Sequence, residues 1–496
     1  MSDRAGHLAP GTGHRDITVG NRQPATGNRS LAAGVDVSPL PFHRRATQAI
    51  ADASLQIALD RATGRMVDAR RTAFGAMPDG DVTRDHVRRI RAHTIANLGR
   101  YLDQFVGAAT AAGAHVHFAA DAAAATRLVV DLARAHDVQR VVKGKSMVSE
   151  EVLLNHALEA EGMRVVETDL GEYVVQLDRD VPSHIIAPIF HKTREQVAET
   201  FRRELHATDA EVADIPEMTA FARRMLRAEF LAADMGVSGV NFAVAETGSL
   251  CLIENEGNGR LSTTAPRLHV ALLGLERIVP TTADLTQALR LLARSATGQP
   301  LTVYTNVITG PRRAGDPDGP SDLHVVIVDN GRSRLLRTEL EEILYCIRCG
   351  ACLNVCPVYQ EIGGHAYGSV YQGPVGAVYT PGAFGLDPWA ELPQASSLCG
   401  ACKDACPVRI DIPRMLLALR ADAETGGHTP RWVGDGLHVF RVLATHPRLF
   451  RLASAAARRV SNWLGPTGFD RLPGPLAGWT LQSHNRDRRR RAQQIT

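Results

Sequence analysis

The chain has 496 residues, 44% hydrophobic and 22% charged, a globular mixture that excludes disorder throughout and suits roughly two to four domains. Lys and Arg number 56 against 53 Asp and Glu, so the net charge of +3 gives no global field for holding nucleic acid. No apolar run reaches the ~18–20 residues of a membrane span, and no apolar h-region opens the chain, so a cytoplasmic protein without a transmembrane segment or secretory signal is expected.

Residues 1–45 are rich in Gly, Arg, Pro, Thr and Asn and lack an apolar period, so a disordered tail is expected there. From Phe42 to about Leu102 the apolar residues recur at helical spacing: Ala49, Ile50, Leu55, Leu59 and Met66, then Val87, Ile90, Ile95, Leu98 and Leu102. From about 115 the register changes. Val116–Ala119 reads as a strand and Ala122–Ala135 as a helix with Leu128, Val129, Leu132 and Ala133 on its apolar face. Val138–Val142 is a strand, Ser149 an N-cap for an acidic-start helix through Leu158, and Arg164–Glu167 another strand. This alternation predicts βαβ units and a parallel sheet. A helix near 216–233 and strands near 240–246, 249–254, 268–273, 301–308 and 323–328 follow, with a Gly- and Pro-rich loop at 310–322.

Within this region several short motifs carry chemistry weakly. Lys143-Gly-Lys-Ser146 lies at a strand-to-helix turn, where anions bind, but Gln139 stands where a phosphate loop needs its first Gly. Ala245–Ser249 reads as a hairpin turn, with Glu246 a minor candidate carboxylate, and Asn255–Arg260 as a polar turn or substrate loop. No G-x-G-x-x-G follows a strand, so neither a nicotinamide nor a flavin site is expected. Cys251, in Leu250-Cys-Leu-Ile253, is expected to be a buried inert thiol.

Eight cysteines occur, and seven of them fall between Cys346 and Cys406. The first run is Cys346-Ile-Arg-Cys349-Gly-Ala-Cys352-Leu-Asn-Val-Cys356-Pro357, the C-x2-C-x2-C-x3-C-P spacing of bacterial ferredoxins. Three thiolates at this spacing wrap one cubane, and in two-cluster proteins the fourth reaches the other cluster. The second run, Cys399-Gly-Ala-Cys402-Lys-Asp-Ala-Cys406-Pro407, has the same pattern with Ser396 in place of its first Cys. A zinc ribbon would use four ligands, commonly as two C-x2-4-C pairs, which fits seven cysteines and two Cys-Pro closures poorly. Two iron–sulfur clusters are therefore expected, the three cysteines of the second leaving [4Fe–4S] and [3Fe–4S] both open. Its open corner falls to Ser396, His365 or water. Segment 361–385, between the runs, reads as a long Gly- and Tyr-rich loop, and Arg486–Arg491 as a solvated basic tail.

These motifs in this order resemble a family. Gly236–Ser249 and Glu254–Arg260 are similar to the LUD domain of lactate utilization proteins, and Val142–Glu151 to that domain's earlier strand–turn–helix. The dicluster run and the Pro430-Arg-Trp extension complete the order of the lactate utilization protein B family, over residues 45–480. The resemblance implies an α/β fold: a LUD domain of ribose-5-phosphate isomerase and CoA-transferase type at 46–330. It further implies an α-helical ferredoxin-type dicluster domain at 335–415 and a C-terminal helical extension with basic tail at 416–496. By carry-over, Cys346, Cys349, Cys352 and Cys406 hold cluster one, and Cys356, Cys399 and Cys402 hold cluster two.

It further implies an electron-transfer subunit for oxidising L-lactate to pyruvate. The expected partners are a second iron–sulfur or cysteine-rich subunit, a LUD-only subunit and an unidentified electron acceptor. No catalytic residue is identified. The rival expectations are a LUD-domain enzyme acting on a hydroxy acid and a subunit of another oxidase, such as one for glycolate.

Overall fold

The computed structural model describes residues 31–32, 35–36, 40–428 and 431–463. Most of the expected N-terminal tail, and all of Arg486–Arg491, lie outside the described residues.

Six strands form an all-parallel sheet in the order His115–Ala119, Asp322–Val328, Leu268–Gly274, Met235–Gly239, Arg140–Lys143, Arg164–Glu167. Their sequences are short apolar runs because helices cover both faces. Leu268–Gly274, near the middle, is buried at every position. On one face the helix Ala122–Ala135 turns Ala125, Val129 and Ala133 onto Val141, Val165, Leu272 and Val326. Asp121 caps it by accepting from the Ala124 N–H at 2.7 Å. On the other face Leu98–Ala111 lays Tyr101, Phe105 and Ala109 over Ala271, Leu273 and Val325. Each such fully buried aliphatic side chain contributes about 1.5–3 kcal/mol, and truncating Leu272 to Ala would cost about 2–5 kcal/mol.

A second, four-stranded sheet runs Ile278–Val279, Phe242–Val244, Ser249–Glu254, Tyr304–Ile308. Its hairpin pairs Val244 with Ser249 around the turn expected there. Cys251 lies in this sheet opposite Phe242 and Val307, fully buried, and burial pushes its thiol up to about 12.

Two local expectations need correction. Ser146, not Ser149, is the N-cap: its hydroxyl accepts from the Ser149 N–H. The helix it opens stops at Glu151, Leu153 takes φ +55, and a second helix runs Leu154–Ala160. The segment 361–385 is also not a loop. It holds a 3-10 turn at His365–Tyr367 and a helix at Gly373–Phe384, whose Pro374 sits in the first turn. Nearly all of that helix is buried, so its sequence is apolar all round and shows no amphipathic period.

The helices Phe42–Ala51, Ala53–Gly75, Gly80–Ala96 and Thr282–Ala296 share one continuous core with the cysteine segment. Leu59, Val87 and Leu291 belong to the same apolar cluster as Leu353, Tyr359, Tyr379 and Met415. The cysteine loops are therefore built into the α/β body.

Candidate metal centre

The two cysteine runs trace the same backbone twice. Arg348 and Leu398, each just before the first Cys-Gly pair of its loop, take φ +59 and +55. Gly350 and Gly400, just after that cysteine, take φ +73 and +85, which glycine adopts without steric cost. Short helices follow at Ala351–Asn354 and Ala401–Ala405, and they pack against each other. Cys356 and Cys406 then turn extended, with ψ 117 and 121, ahead of Pro357 and Pro407. The Arg348 N–H donates to Cys346 Sγ at 3.3 Å, and the Leu398 N–H donates to Ser396 Oγ at 3.1 Å. Ser396 thus occupies in the second loop the seat that Cys346 occupies in the first.

One cavity is lined by Cys346, Cys349, Cys352 and Cys406, walled by Ile185, Val375 and Ile410. It joins three cysteines of the first run to the last of the second. Cys356, Cys399 and Cys402 are electrostatic neighbours of one another, with Cys399 exposed and the other two buried. Three of the thiols are hard to ionise when free: burial pushes Cys349 up to about 12, Cys402 to about 12 and Cys406 to about 11. Grouped sulfurs in apolar walls, with no carboxylate or imidazole lining the cavity, form a donor set suited to a soft thiophilic metal. The residues present therefore fit an iron–sulfur group.

Arginines surround the first group. Arg348, inside the first run, lies over the rings of Tyr371 and Tyr379 at 4.2 and 4.6 Å and pairs with Glu276 at 3.4 Å. Arg277 donates to the Cys346 carbonyl at 2.8 Å and Arg91 to the Leu344 carbonyl at 2.9 Å. Arg84 donates to the Cys406 carbonyl at 2.8 Å and Arg70 to the Ala405 carbonyl at 2.7 Å. Around the second loop the comparable clamp is Arg420, which donates to the Ser396 carbonyl at 2.8 Å. Behind Arg348, Arg332 bridges Glu151 and Glu276, each at 2.8 Å, and all three are buried. The arginines beside Glu276 hold its carboxyl down to about 2 against the opposing effect of burial.

None of this network stood out in the sequence. Arg348 alone carried a local signal, by standing between two cysteines of the first run.

The other sequence candidates take structural roles. Lys143 is buried against Glu167 at 2.8 Å and Ser149 Oγ at 3.0 Å, and Lys145 pairs with Glu172 at 3.5 Å. Both lysines are engaged, which leaves no free cation for the anion site entertained at this turn. Glu246 accepts from the Thr282 N–H at 3.1 Å. The Asn255–Arg260 turn is tied by Glu254, which accepts from the Gly259 and Arg260 N–H groups, both at 2.6 Å. His365 donates from Nε2 to the Val181 carbonyl at 2.7 Å and stands beside His191 and Asp180.

Residues 102–328 match the family described as LUD domain, and residues 342–410 match the family described as 4Fe-4S dicluster domain, which implies iron–sulfur clusters. Lactate utilization protein B of Shouchella clausii is 44% identical over 91% of this chain and 95% of its own length. The uncharacterized electron transport protein YkgF of Escherichia coli is 43% identical over 90% of this chain and 94% of its own. Lactate utilization protein B of Bacillus velezensis is 42% identical over 88% and 92%.

Proposed function

The chain belongs to the lactate utilization protein B family, and from that membership we propose that it is the iron–sulfur electron-transfer subunit of an L-lactate oxidation system. The observation that carries the reading is the cavity where Cys406 of the second run joins Cys346, Cys349 and Cys352 of the first. Those four residues would hold one [4Fe–4S] cluster. Cys356, Cys399 and Cys402 would hold the second, with Ser396 in the seat equivalent to that of Cys346 in the first loop. When bound, such clusters supply one-electron carriers at potentials tuned by charge, burial and hydrogen bonds to sulfur. The chain's own residues supply that tuning. Ile185, Val375 and Ile410 keep water from the first site, the Arg348 N–H donates to Cys346 Sγ, and the arginines set the local charge. Exposed Cys399 puts the second site nearest the surface, where electrons exchange with a partner. The name of the Escherichia coli relative, an uncharacterized electron transport protein, supports the carrier role, and the lactate utilization names support the substrate of the system. Its companions are a second iron–sulfur or cysteine-rich subunit and a LUD-only subunit, and electrons leave to an acceptor still to be identified.

The test has two arms. Protein purified anaerobically carries roughly seven to eight iron atoms and a similar amount of acid-labile sulfide; zinc without sulfide overturns the cofactor reading. Deleting the gene in a host with no other lactate oxidase abolishes growth on L-lactate and spares growth on pyruvate. Turnover of lactate by the isolated chain, without companions, would replace the carrier reading with that of a LUD-domain enzyme.

A further inference from the structure

We propose that the helical hairpin Arg431–Thr445 and Pro447–Trp463 is a docking surface for an anionic lipid bilayer.

Of the 19 large apolar side chains exposed among the described residues, seven lie on this hairpin: Leu437, Val439, Phe440, Val442, Leu449, Phe450 and Leu452. Phe440 is 60% and Leu452 69% exposed. They are patterned. In the second helix Leu449, Leu452, Ala453 and Ala456 recur at helical spacing on one side, while Arg451 and Arg458 share the other. Arg448 and Arg459 border the apolar stripe. In the first helix Val439, Phe440 and Leu443 line one side, and His438, Arg441 and Thr445 lie on the opposite one. The two helices pack on each other, but their apolar sides remain open. The helix just before them behaves differently: Ile412–Thr425 buries Met415, Leu416 and Leu419 in the main core.

Charge selects the occupant. Between residues 434 and 459 stand Arg441, Arg448, Arg451, Arg458 and Arg459 against a single acid, Asp435. Among the described ion pairs none involves these five arginines, whereas most arginines of the α/β body face a carboxylate or carbonyl. A wide apolar stripe with a basic opposite face is the pattern of a helix that lies in the plane of a membrane interface. The arginines bordering the stripe can extend along it and place their guanidinium groups among phosphate headgroups. A second copy of the hairpin fits worse, because it brings the same excess of positive charge. Among the described residues no helix is long and apolar enough to cross a membrane, so the contact is peripheral.

The inference does not rest on the electron-transfer reading, and its experiment needs no turnover. Full-length protein with its native iron content is mixed with vesicles of phosphatidylcholine alone or of phosphatidylcholine with phosphatidylglycerol, and the bound fraction is read by flotation. The expected result is binding to the anionic vesicles, at least tenfold weaker on the zwitterionic ones and weakened again in high salt, which screens the arginines. Phe440→Glu with Leu452→Glu abolishes binding, and Arg451→Glu with Arg458→Glu, which leaves the apolar stripe intact, lowers it at least tenfold. All four side chains are exposed, so circular dichroism and visible absorbance of these variants match the parent. Equal binding to both vesicle types, no binding to either, or binding that survives both pairs of substitutions overturns the proposal. So does light scattering that finds a dimer dissolved by Phe440→Glu with Leu452→Glu, since the stripe then serves a second copy.

Discussion

Arg348 is held where a charge acts strongly on the neighbouring cysteines. It lies within the first run, bears on two tyrosine rings and reaches a single carboxylate, Glu276, which Arg332 already holds. Arg91, Arg277, Arg332 and Arg348 face only Glu151 and Glu276 among the fully buried carboxylates of this network. An excess of buried positive charge is costly alone and is offset where the adjacent sulfurs are negative, as they are when they ligate metal. That same positive field favours the reduced, more negative state of a cluster held there. The chain supplies its own control, because Leu398 occupies the equivalent position in the second run with nearly the same left-handed backbone. Arg348→Leu is therefore tolerated by the loop. It lowers the midpoint potential of the cluster proposed at Cys346, Cys349, Cys352 and Cys406 by on the order of 100 mV, taking a charge at ~6 Å with an effective dielectric near 20. A redox titration followed by electron paramagnetic resonance reads the shift. A potential that is unchanged or raised removes Arg348 from the tuning of that site.

The two cysteine loops were legible as elements because ligand spacing is local: three thiols two residues apart imply one backbone path. The arginine clamps were not, since their partners are remote in the chain; Arg91 reaches a carbonyl 253 residues away. The helix Gly373–Phe384 escaped for another reason. Buried on all sides, it has no polar face to mark a period, and its glycines and Pro381 read as a loop. The Ser149 slip came from two serines three residues apart, either of which could cap; Ser146 holds the extended backbone that an N-cap needs. At the same scale the duplicated loop gives a prediction about Ser396. Its hydroxyl accepts the very N–H bond that Cys346 sulfur accepts in the first loop. A thiol at 396 would enter a backbone already shaped for a ligand, and thiolate is the preferred soft donor. Mild oxidation should convert only the second cluster to a three-iron form, and Ser396→Cys should suppress the conversion. If the first cluster loses iron first, or the variant behaves as the parent does, Ser396 does not mark the open corner.

Over the whole molecule, the parallel sheet and the cysteine loops are joined through one continuous core and through buried polar contacts that must stay uncharged. His269, in the strand Leu268–Gly274, bonds Ser238 Oγ of the neighbouring strand at 2.8 Å, and its Nδ1 has no partner among the described residues. His184, on the loop packed against the first cysteine run, bonds Asn354 at 3.1 Å, while its Nδ1 accepts from the Ile186 N–H at 3.0 Å. Burial pushes both imidazoles from the usual 6.5 down to about 3. In the unfolded chain each takes a proton near pH 6.5; in the folded one it stays neutral until about pH 3. Stability from these two groups is therefore complete above about pH 6.5 and falls as the pH drops through that window, by ~1.4 kcal/mol per pH unit for each histidine. Between pH 7 and pH 5 the pair costs the folded state about 4 kcal/mol on that scale. His269→Gln keeps a hydrogen-bonding side chain beside Ser238 but cannot titrate, so it removes about half of the slope whatever it does to stability at pH 7. Anaerobic urea unfolding at pH 7, 6 and 5 measures the difference between variant and parent. A variant whose midpoint falls with pH as steeply as the parent's would place the acid sensitivity elsewhere, and His184, at the seam between the α/β body and the cysteine loops, is the next histidine to replace.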